Sequence, residues 1–398
     1  MQYTVDNKML FGYDGYTMRA TYAYIYLDNL RHNLAAIRTC IKPETRICVP
    51  VKADAYGHGA VQTARTAQEC GVSYLAVAAV SEGIELREAG IELPILLLSV
   101  PQPEEFAEIV SYALMPAVFD AEFIDLLSET AVRMKRRLPV HLKIDTGMGR
   151  IGCPAEEAAR LAERISKSAA LELAGVFTHF AAADSLVPAD EAYTHGQIER
   201  FVQAVDSIRD RHINPGIVHC ASSAAILQYP EAQFDMVRPG IIVYGYYPGD
   251  ITEDYLQRAG RPLHLKPLLE VRSKISAIKP IRAGESISYG RTWTADSDGE
   301  IGVIPIGYAD GIIRRFAPDI RISVNGRAYP VRGRICMDQC MIDLGKNSGV
   351  SRWDDAIIFG PKENGAACSA EDLAQATGTI SYEILCGINK RVPRVYIP

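Results

Sequence analysis

Nowhere among the 398 residues is there an uninterrupted apolar run of about 18 residues, the length a membrane-spanning helix requires, so no part of the chain is expected to cross a bilayer. An excess of basic residues is missing too. The 42 Lys and Arg stand against 48 Asp and Glu, giving a net charge of −6 and a pI near 5.8, which argues against a nucleic-acid partner. Nine cysteines fall at scattered positions (40, 48, 70, 153, 220, 336, 340, 368 and 386). Cys336 and Cys340 are close in sequence, but no second pair sits nearby to complete a zinc site, and no metal is expected. Reduced thiols in a cytosolic protein are the simplest reading. The opening MQYTVDNKMLFGYDG carries Asp6 and Asp14 without a long apolar stretch and does not read as a signal peptide. Solenoid repeats and low-complexity segments are absent.

What is present is a normal globular mixture, 48% hydrophobic and 23% charged, in a chain long enough for two domains. From about residue 45 to 245 short apolar runs alternate with helical segments, the signal of βαβ units. Eight strands are expected, at Ile47–Val51, Tyr74–Val80, Ile95–Leu98, Ala113–Val118, Val140–Ile144, Leu173–Thr178, Ile217–Cys220 and Asp235–Arg238. Most are Val-, Ile- and Leu-rich without alternation, as parallel strands buried on both faces should be. Helices are expected between them, for example at Ala60–Cys70, Ala155–Ser166 and Ala192–Arg211. The pattern fits an α/β fold of the (β/α)8 TIM-barrel type, with an open doubly wound sheet as the alternative. After about residue 265 the texture becomes mostly β: Val271–Ile278, Glu300–Ile306 and Ile320–Val324 read as strands, and Asn325-Gly326 marks a hairpin. Ala370–Ala376 is the main remaining helical stretch. The expected organisation is an N-terminal extension (1–21), a barrel (22–260) and a β-rich C-terminal domain (261–398), with alternating Thr21–Leu27 forming a strand that pairs with that last domain.

In such barrels the chemistry sits where the strands end. Strand one runs into Lys52 of PVKADAYGHG; a lysine there is either a solvent-reaching loop residue or a desolvated amine of lowered pKa suited to covalent work. Small residues and Tyr56 follow. Strand five ends in KIDTGMGR, with Lys143 and Asp145 at the rim and Arg150 able to grip an acidic group. Strand six leads to His179, which is either structural or presented to a flat ring. Ser222 and Ser223 start a short helix after strand seven, and Gly240 and Ile241 follow strand eight, where these barrels bind phosphate. Arg238, in strand eight, needs an acceptor if buried. A lysine, a phosphate cradle and an arginine converging on one mouth outline a pyridoxal-phosphate site. In the β-rich part, Tyr289 of SISYG stands beside Gly290, as an edge-strand aromatic or as a phenol offered to a neighbouring cavity. GRICMD (333–338) reads as a core strand leading into a turn, and Tyr382 and Arg391 are undiagnostic alone.

Taken in order, VKADAYGHG, KIDTGMGR, SYG, GYADG and GRICMDQ resemble the alanine racemase family of fold-type III pyridoxal-phosphate enzymes, and the likeness extends to RVPRVY. The resemblance implies that Lys52 carries the cofactor and that Tyr289 of the partner subunit is the opposing base, in a homodimer with shared sites. It implies Tyr56, Ser223, Gly240, Ile241 and Tyr382 around the phosphate, Arg238 facing the pyridine nitrogen and His179 near the ring. Arg150 and Met337 would contact the substrate carboxylate. Lys143 looks like the family's carbamylated lysine, and Asp184, Tyr308, Arg314 and Arg334 match the substrate's access path. Arg291 departs from the small residue common after SYG.

The chemistry agrees with that implication. Racemisation removes a proton from one face of Cα and delivers one to the other, so two bases are needed. A guanidinium donates to the ring nitrogen without protonating it, which limits side reactions. Tyr289 must lose a proton, so a nearby cation or hydrogen-bond donor is expected. The expected activity is alanine racemisation in the cytoplasm, supplying D-alanine for peptidoglycan. Serine or broader racemisation stays open. A fold-type III decarboxylase is disfavoured by Arg238 and Tyr289, and a cofactor-homeostasis protein by the residues after the barrel.

Overall fold

The computed structural model describes residues 19–314 and 320–398. The expected N-terminal extension lies, up to residue 18, outside the described residues. The chain forms two compact units: residues 28–266, and the segment ending at Leu27 joined to Pro267–Pro398. No described helix is long and apolar enough to cross a membrane.

The first unit is the barrel. Its parallel strands are Arg46–Pro50, Tyr74–Val77, Ile95–Leu97, Met115–Val118, Leu138–Asp145, Leu171–Phe177, Ile217–His219 and Met236–Val237, neighbours in space as in sequence. The last pairs with the first. Closure on the other side comes from Asp235 N donating to Val218 O (3.0 Å), Arg238 N to Ala221 O (2.8 Å) and a bridge between Ser222 and Arg238. The expected eight strands are found with their ends shifted; Val80, placed in strand two by its apolar run, instead opens the helix Val80–Glu88. The helix after strand six begins at Pro188 rather than Ala192, because proline suits a first turn that also carries Asp190 and Glu191.

Cys48, Ala76, Leu96, Met115, Ile217 and Met236, one from each of six strands, form a buried cluster against which Ala174 of a seventh packs. Burial of each large aliphatic among them contributes on the order of 1.5–3 kcal/mol. Leu96 is fully buried, and its truncation to Ala would cost roughly 2–5 kcal/mol.

The second unit is mostly β. A six-stranded sheet runs, in spatial order, Arg327–Pro330, Arg321–Val324, Asp355–Phe359, Leu269–Lys274, Tyr22–Tyr26 and Arg394–Ile397. The expected N-terminal strand thus pairs antiparallel with Leu269–Lys274 and parallel with Arg394–Ile397, inside this unit. A three-stranded sheet contains Ala277–Ile281, Gly299–Ile304 and Cys340–Gly345. At the expected hairpin Val324 pairs with Arg327, and positive φ at Asn325 (51°) and Gly326 (74°) gives the primed turn that Asn-Gly favours. The helix Ala370–Thr377 is capped by Ser369, whose hydroxyl accepts from Asp372 N. GRICMD is not a strand. Gly333 has a positive φ (69°), and the carbonyls of Cys336 and Met337 are taken by Tyr308 N and Ala309 N (both 3.0 Å), so the segment is a loop entering Cys340–Gly345.

Candidate active site

At the end of the first barrel strand Lys52 opens a turn of opposite hand. Ala53, Asp54, Ala55 and Tyr56 have φ of 52–54° and ψ of 38–51°, four successive left-handed residues with no glycine among them. Each such residue costs on the order of 1–2 kcal/mol, so the turn exists only because its surroundings hold it. Ala55 N donates to Val51 O (2.8 Å), Gly59 N to Asp54 O (2.9 Å) and Ala60 N to Asp54 Oδ1 (2.8 Å). Glu82 ties the turn to the next loop: Oε1 accepts from Ala53 N (2.6 Å), and Oε2 from Ala78 N (2.8 Å) and Ala79 N (3.0 Å). Tyr56 stacks on Tyr244 at 4.7 Å, and His58 lies over the same ring at 4.6 Å.

The left-handed turn carries Tyr56 to Gly240. A Cβ at Gly240 would lie 3.0 Å from Tyr56 Oη and 3.7 Å from Ser223 Oγ, and Gly240 N donates to Ser223 Oγ at 2.8 Å. Ser223 is the first residue of the helix Ser223–Gln228, and Ile241 begins the 3-10 turn Ile241–Tyr244, so two hydroxyls and backbone N–H groups border a small hollow that a side chain at 240 would fill. Such a hollow suits a phosphate.

Deeper lies a group of basic side chains. Arg238 is buried; Nη1 meets His219 Nδ1 at 2.7 Å, and Nη2 donates to Thr178 O (2.8 Å) and Cys220 O (3.1 Å) and reaches His179 Nδ1 at 3.4 Å. Lys143, 3% exposed, points Nζ at the face of Phe177, 4.8 Å from the ring centre, and among the described residues Nζ has no hydrogen-bond partner. Burial, then the Arg238 and Arg150 guanidiniums, hold its amine well below the usual lysine range. Burial, then Arg238, Lys143, Arg150 and Lys52, do the same to the His179 imidazole, which keeps it neutral. Arg150 itself is exposed beyond the loop that Asp145 orders by accepting from Gly147 N (2.9 Å) and Gly149 N (3.1 Å). Asp184, exposed, packs against Gly249, and its carbonyl accepts from Asp250 N at 2.9 Å.

The remaining sequence-predicted residues belong to the β-rich unit. Tyr289 is 66% and Met337 52% exposed, and both line one open hollow with Ser288, Cys336, Asp338 and Gln339. Ser288 holds a left-handed φ of 66°, fixed by Oγ donating to Arg334 O (2.5 Å) and by close packing on Gly333. The Arg334 guanidinium lies against Gly290, beside Tyr289, as a cation next to the phenol's backbone. Tyr308, exposed, is bound through its backbone to Cys336; Arg314 is exposed, and Tyr382 stands in the helix Ser381–Gly387.

Sequence reading missed His141, His219 and Glu82. The first could have been flagged by period two: His141, Lys143 and Asp145 alternate along strand five and therefore share a face.

The barrel unit thus carries an amine at the end of its first strand, two hydroxyls beside Gly240 and a buried guanidinium. The chain belongs to the alanine racemase family, a family of isomerases: residues 25–248 match the alanine racemase N-terminal domain and residues 268–396 the alanine racemase C-terminal domain. It is 48% identical over 382 residues to the alanine racemase of Treponema denticola, covering 96% of this chain and 99% of that one. Among solved structures it is similar to the alanine racemase of Clostridium difficile 630 (TM-score 0.89, 39% identity, 96% and 97% of the two chains). The alanine racemase from Bacillus anthracis with bound L-Ala-P is also similar (TM-score 0.88, 33% identity, 96% of each chain).

Proposed function

We propose that this chain interconverts L- and D-alanine with pyridoxal 5'-phosphate as cofactor and with Lys52 and Tyr289 as its two proton carriers. The residues fit the cofactor, because Gly240 has no side chain to fill the space beside the Tyr56 and Ser223 hydroxyls, groups of the kind that bind a phosphate. Tyr56, Ser223, Gly240, Ile241 and Tyr382 would hold the phosphate, with His179 near the ring. When bound, the cofactor draws electrons from the substrate Cα and makes its hydrogen acidic. Lys52 anchors the cofactor and moves the proton at Nζ on one face of Cα; Tyr289 of the partner subunit holds or returns one at Oη on the other. Arg150 and Met337 hold the substrate carboxylate, and Asp184, Tyr308, Arg314 and Arg334 line its access path.

Lys143 is proposed to be carbamylated. Its neutral Nζ attacks the carbon of CO2, forming an N–C bond as one C=O π pair moves onto oxygen, and the nitrogen loses a proton to solvent; the resulting carbamate anion replaces an unpartnered amine beside Arg150 and Arg238. The proposal further takes the enzyme to be a homodimer with shared sites, acting in the cytoplasm to supply D-alanine for peptidoglycan.

The observation that carries this reading over decarboxylation is the set of partners around Arg238: two imidazoles and two carbonyls, with no carboxylate among them. The test is to incubate the purified protein with L-alanine, L-serine and L-lysine and separate the products by chiral chromatography. D-alanine forming fastest, and not at all with Lys52→Ala, is expected. Decarboxylated amines, or wild-type racemisation by Lys52→Ala, would end the proposal.

A further inference from the structure

Two fully buried histidines, His141 and His219, have no place in the proton transfers above. They are nevertheless linked to Arg238, which the family resemblance sets facing the cofactor's ring nitrogen. His219 Nδ1 is 2.7 Å from Arg238 Nη1, and His219 Nε2 is 2.9 Å from His141 Nδ1. A guanidinium has five donors and no acceptor. Arg238 therefore donates to His219 Nδ1, which must carry a lone pair. The His219 proton then sits on Nε2 and points at His141 Nδ1, which must accept in turn, leaving the His141 proton on its own Nε2. The direction of the whole chain follows from the arginine at its head.

The surroundings are shaped for this arrangement. His219 lies flat on Phe177 (4.9 Å between ring centres, 3° between planes), while the edges of Tyr74 and Phe177 stand 6.3 and 6.4 Å from His141. Gly175 lies on the strand between those that carry the two histidines, and a Cβ there would collide with His141 Nδ1, so the two imidazoles meet only because residue 175 has no side chain. A carboxylate in place of His219 would have satisfied the guanidinium equally well in hydrogen bonds but would have cancelled its charge. The neutral His219 ring, backed by His141, holds the guanidinium by one edge and leaves its positive charge uncompensated.

We propose that His219, backed by His141, is a positioning residue that fixes the plane of the Arg238 guanidinium and keeps it a full cation at the ring-binding face. The proposal rests on the reading of Arg238 as the group facing the cofactor's ring nitrogen. Its first test does not depend on that reading. In the full-length protein as purified, with 15N-labelled histidine and resonances assigned by loss in His219→Phe and His141→Phe, both rings are expected to be neutral and protonated at Nε2 alone. Protonation of either ring at Nδ1 near neutral pH would overturn the chain's direction, whatever reaction the enzyme performs.

The second test separates positioning from packing. His219→Phe keeps the stack on Phe177 but offers Arg238 no acceptor; His219→Asn supplies an acceptor and a donor in a smaller group. Alanine racemisation is expected to fall at least tenfold in kcat for His219→Phe with KM changed less than threefold, and to return to within about threefold of wild type in His219→Asn, while the two variants melt within a few degrees of each other. Equal kcat in the two variants would overturn the proposal. If neither racemises alanine but the wild type does not either, the functional reading has failed while the tautomers still decide the chain.

Discussion

The left-handed turn after Lys52 makes an unusual quantitative demand on glycine substitution. Ala53 is exposed and has φ 52° and ψ 48°, so Ala53→Gly removes strain of roughly 1–2 kcal/mol and uncovers no buried methyl. The greater freedom of glycine in the unfolded chain costs about 0.4–1 kcal/mol. The balance is a stabilisation of about 0.5–1 kcal/mol, and Ala53 N still donates to Glu82. Ala35 supplies the control, being exposed in the right-handed helix Leu27–Thr39 of the same unit. There Ala35→Gly should cost about 0.8–1 kcal/mol, because glycine gives up more freedom and gains nothing. The two chemically identical changes should thus move stability in opposite directions, separated by about 1.5–2 kcal/mol, or roughly 3–8 °C in thermal midpoint. Thermal unfolding of wild type and both variants, followed by circular dichroism, measures this. If Ala53→Gly lowers the midpoint as much as Ala35→Gly does, the strain argument is wrong.

Three further outcomes are expected. In CO2-free buffer Lys143→Met should raise stability by roughly 1–3 kcal/mol, because it removes a buried amine without a partner. Since the folded amine loses its proton well below the usual range, the unfolded state binds more protons at neutral pH; wild-type stability should rise with pH, and the variant should lose that slope. Adding bicarbonate should stabilise the wild type alone, and an equal gain in the variant would refute carbamylation. Asp310 is fully buried and accepts from Arg19 Nη1 (2.9 Å), Arg391 Nε (2.7 Å) and Gly307 N (3.0 Å). Burial raises its pKa, but these donors outweigh that and hold it below the usual carboxylate range. Its contribution is therefore complete above about pH 4 and lost as pH falls through the depressed value, so Asp310→Asn should lower the thermal midpoint by about 2–4 °C at neutral pH and by less in acid; a deficit independent of pH would contradict this. Finally, a disulfide-forming thiol reagent at neutral pH should label exposed Cys70 and Cys386 before Cys48, Cys153 and Cys340, whose thiols burial pushes up to about 12. Early labelling of any of these three, read by mass spectrometry, would be the contrary result.

Barrel strands were legible because burial on both faces demands unbroken apolar runs, and such runs mark the chain wherever a parallel strand must lie. The Asn325–Gly326 hairpin was legible for a local reason, since few dipeptides accept two positive φ values in succession. The left-handed turn at Lys52 was not. Ala, Asp, Ala and Tyr do not impose that conformation by themselves, and what helps hold it is non-local: a Glu82 carboxylate 29 positions away and a Tyr244 ring. GRICMD failed for a related reason. Its apolar residues suggest a strand, but Gly333 and the backbone donors of Tyr308 and Ala309 decide its path.

The same distinction explains why the predicted site residues were named while what holds them was not. Lys52, Arg238 and Ser223 stand at strand ends, where the barrel's architecture alone says that chemistry should be sought. His141 and His219 act through another residue, and their significance depends on a missing side chain at position 175, on a third strand. A glycine inside Leu171–Phe177 looks, in sequence, like a weakness in a strand. In the folded barrel it is the opening through which one imidazole reaches the other, so the informative unit is a triad of positions spread over 79 residues, from 141 to 219, that no local pattern can join. Changing Gly175 to alanine should therefore disturb Arg238 without touching it, by driving His141 off His219.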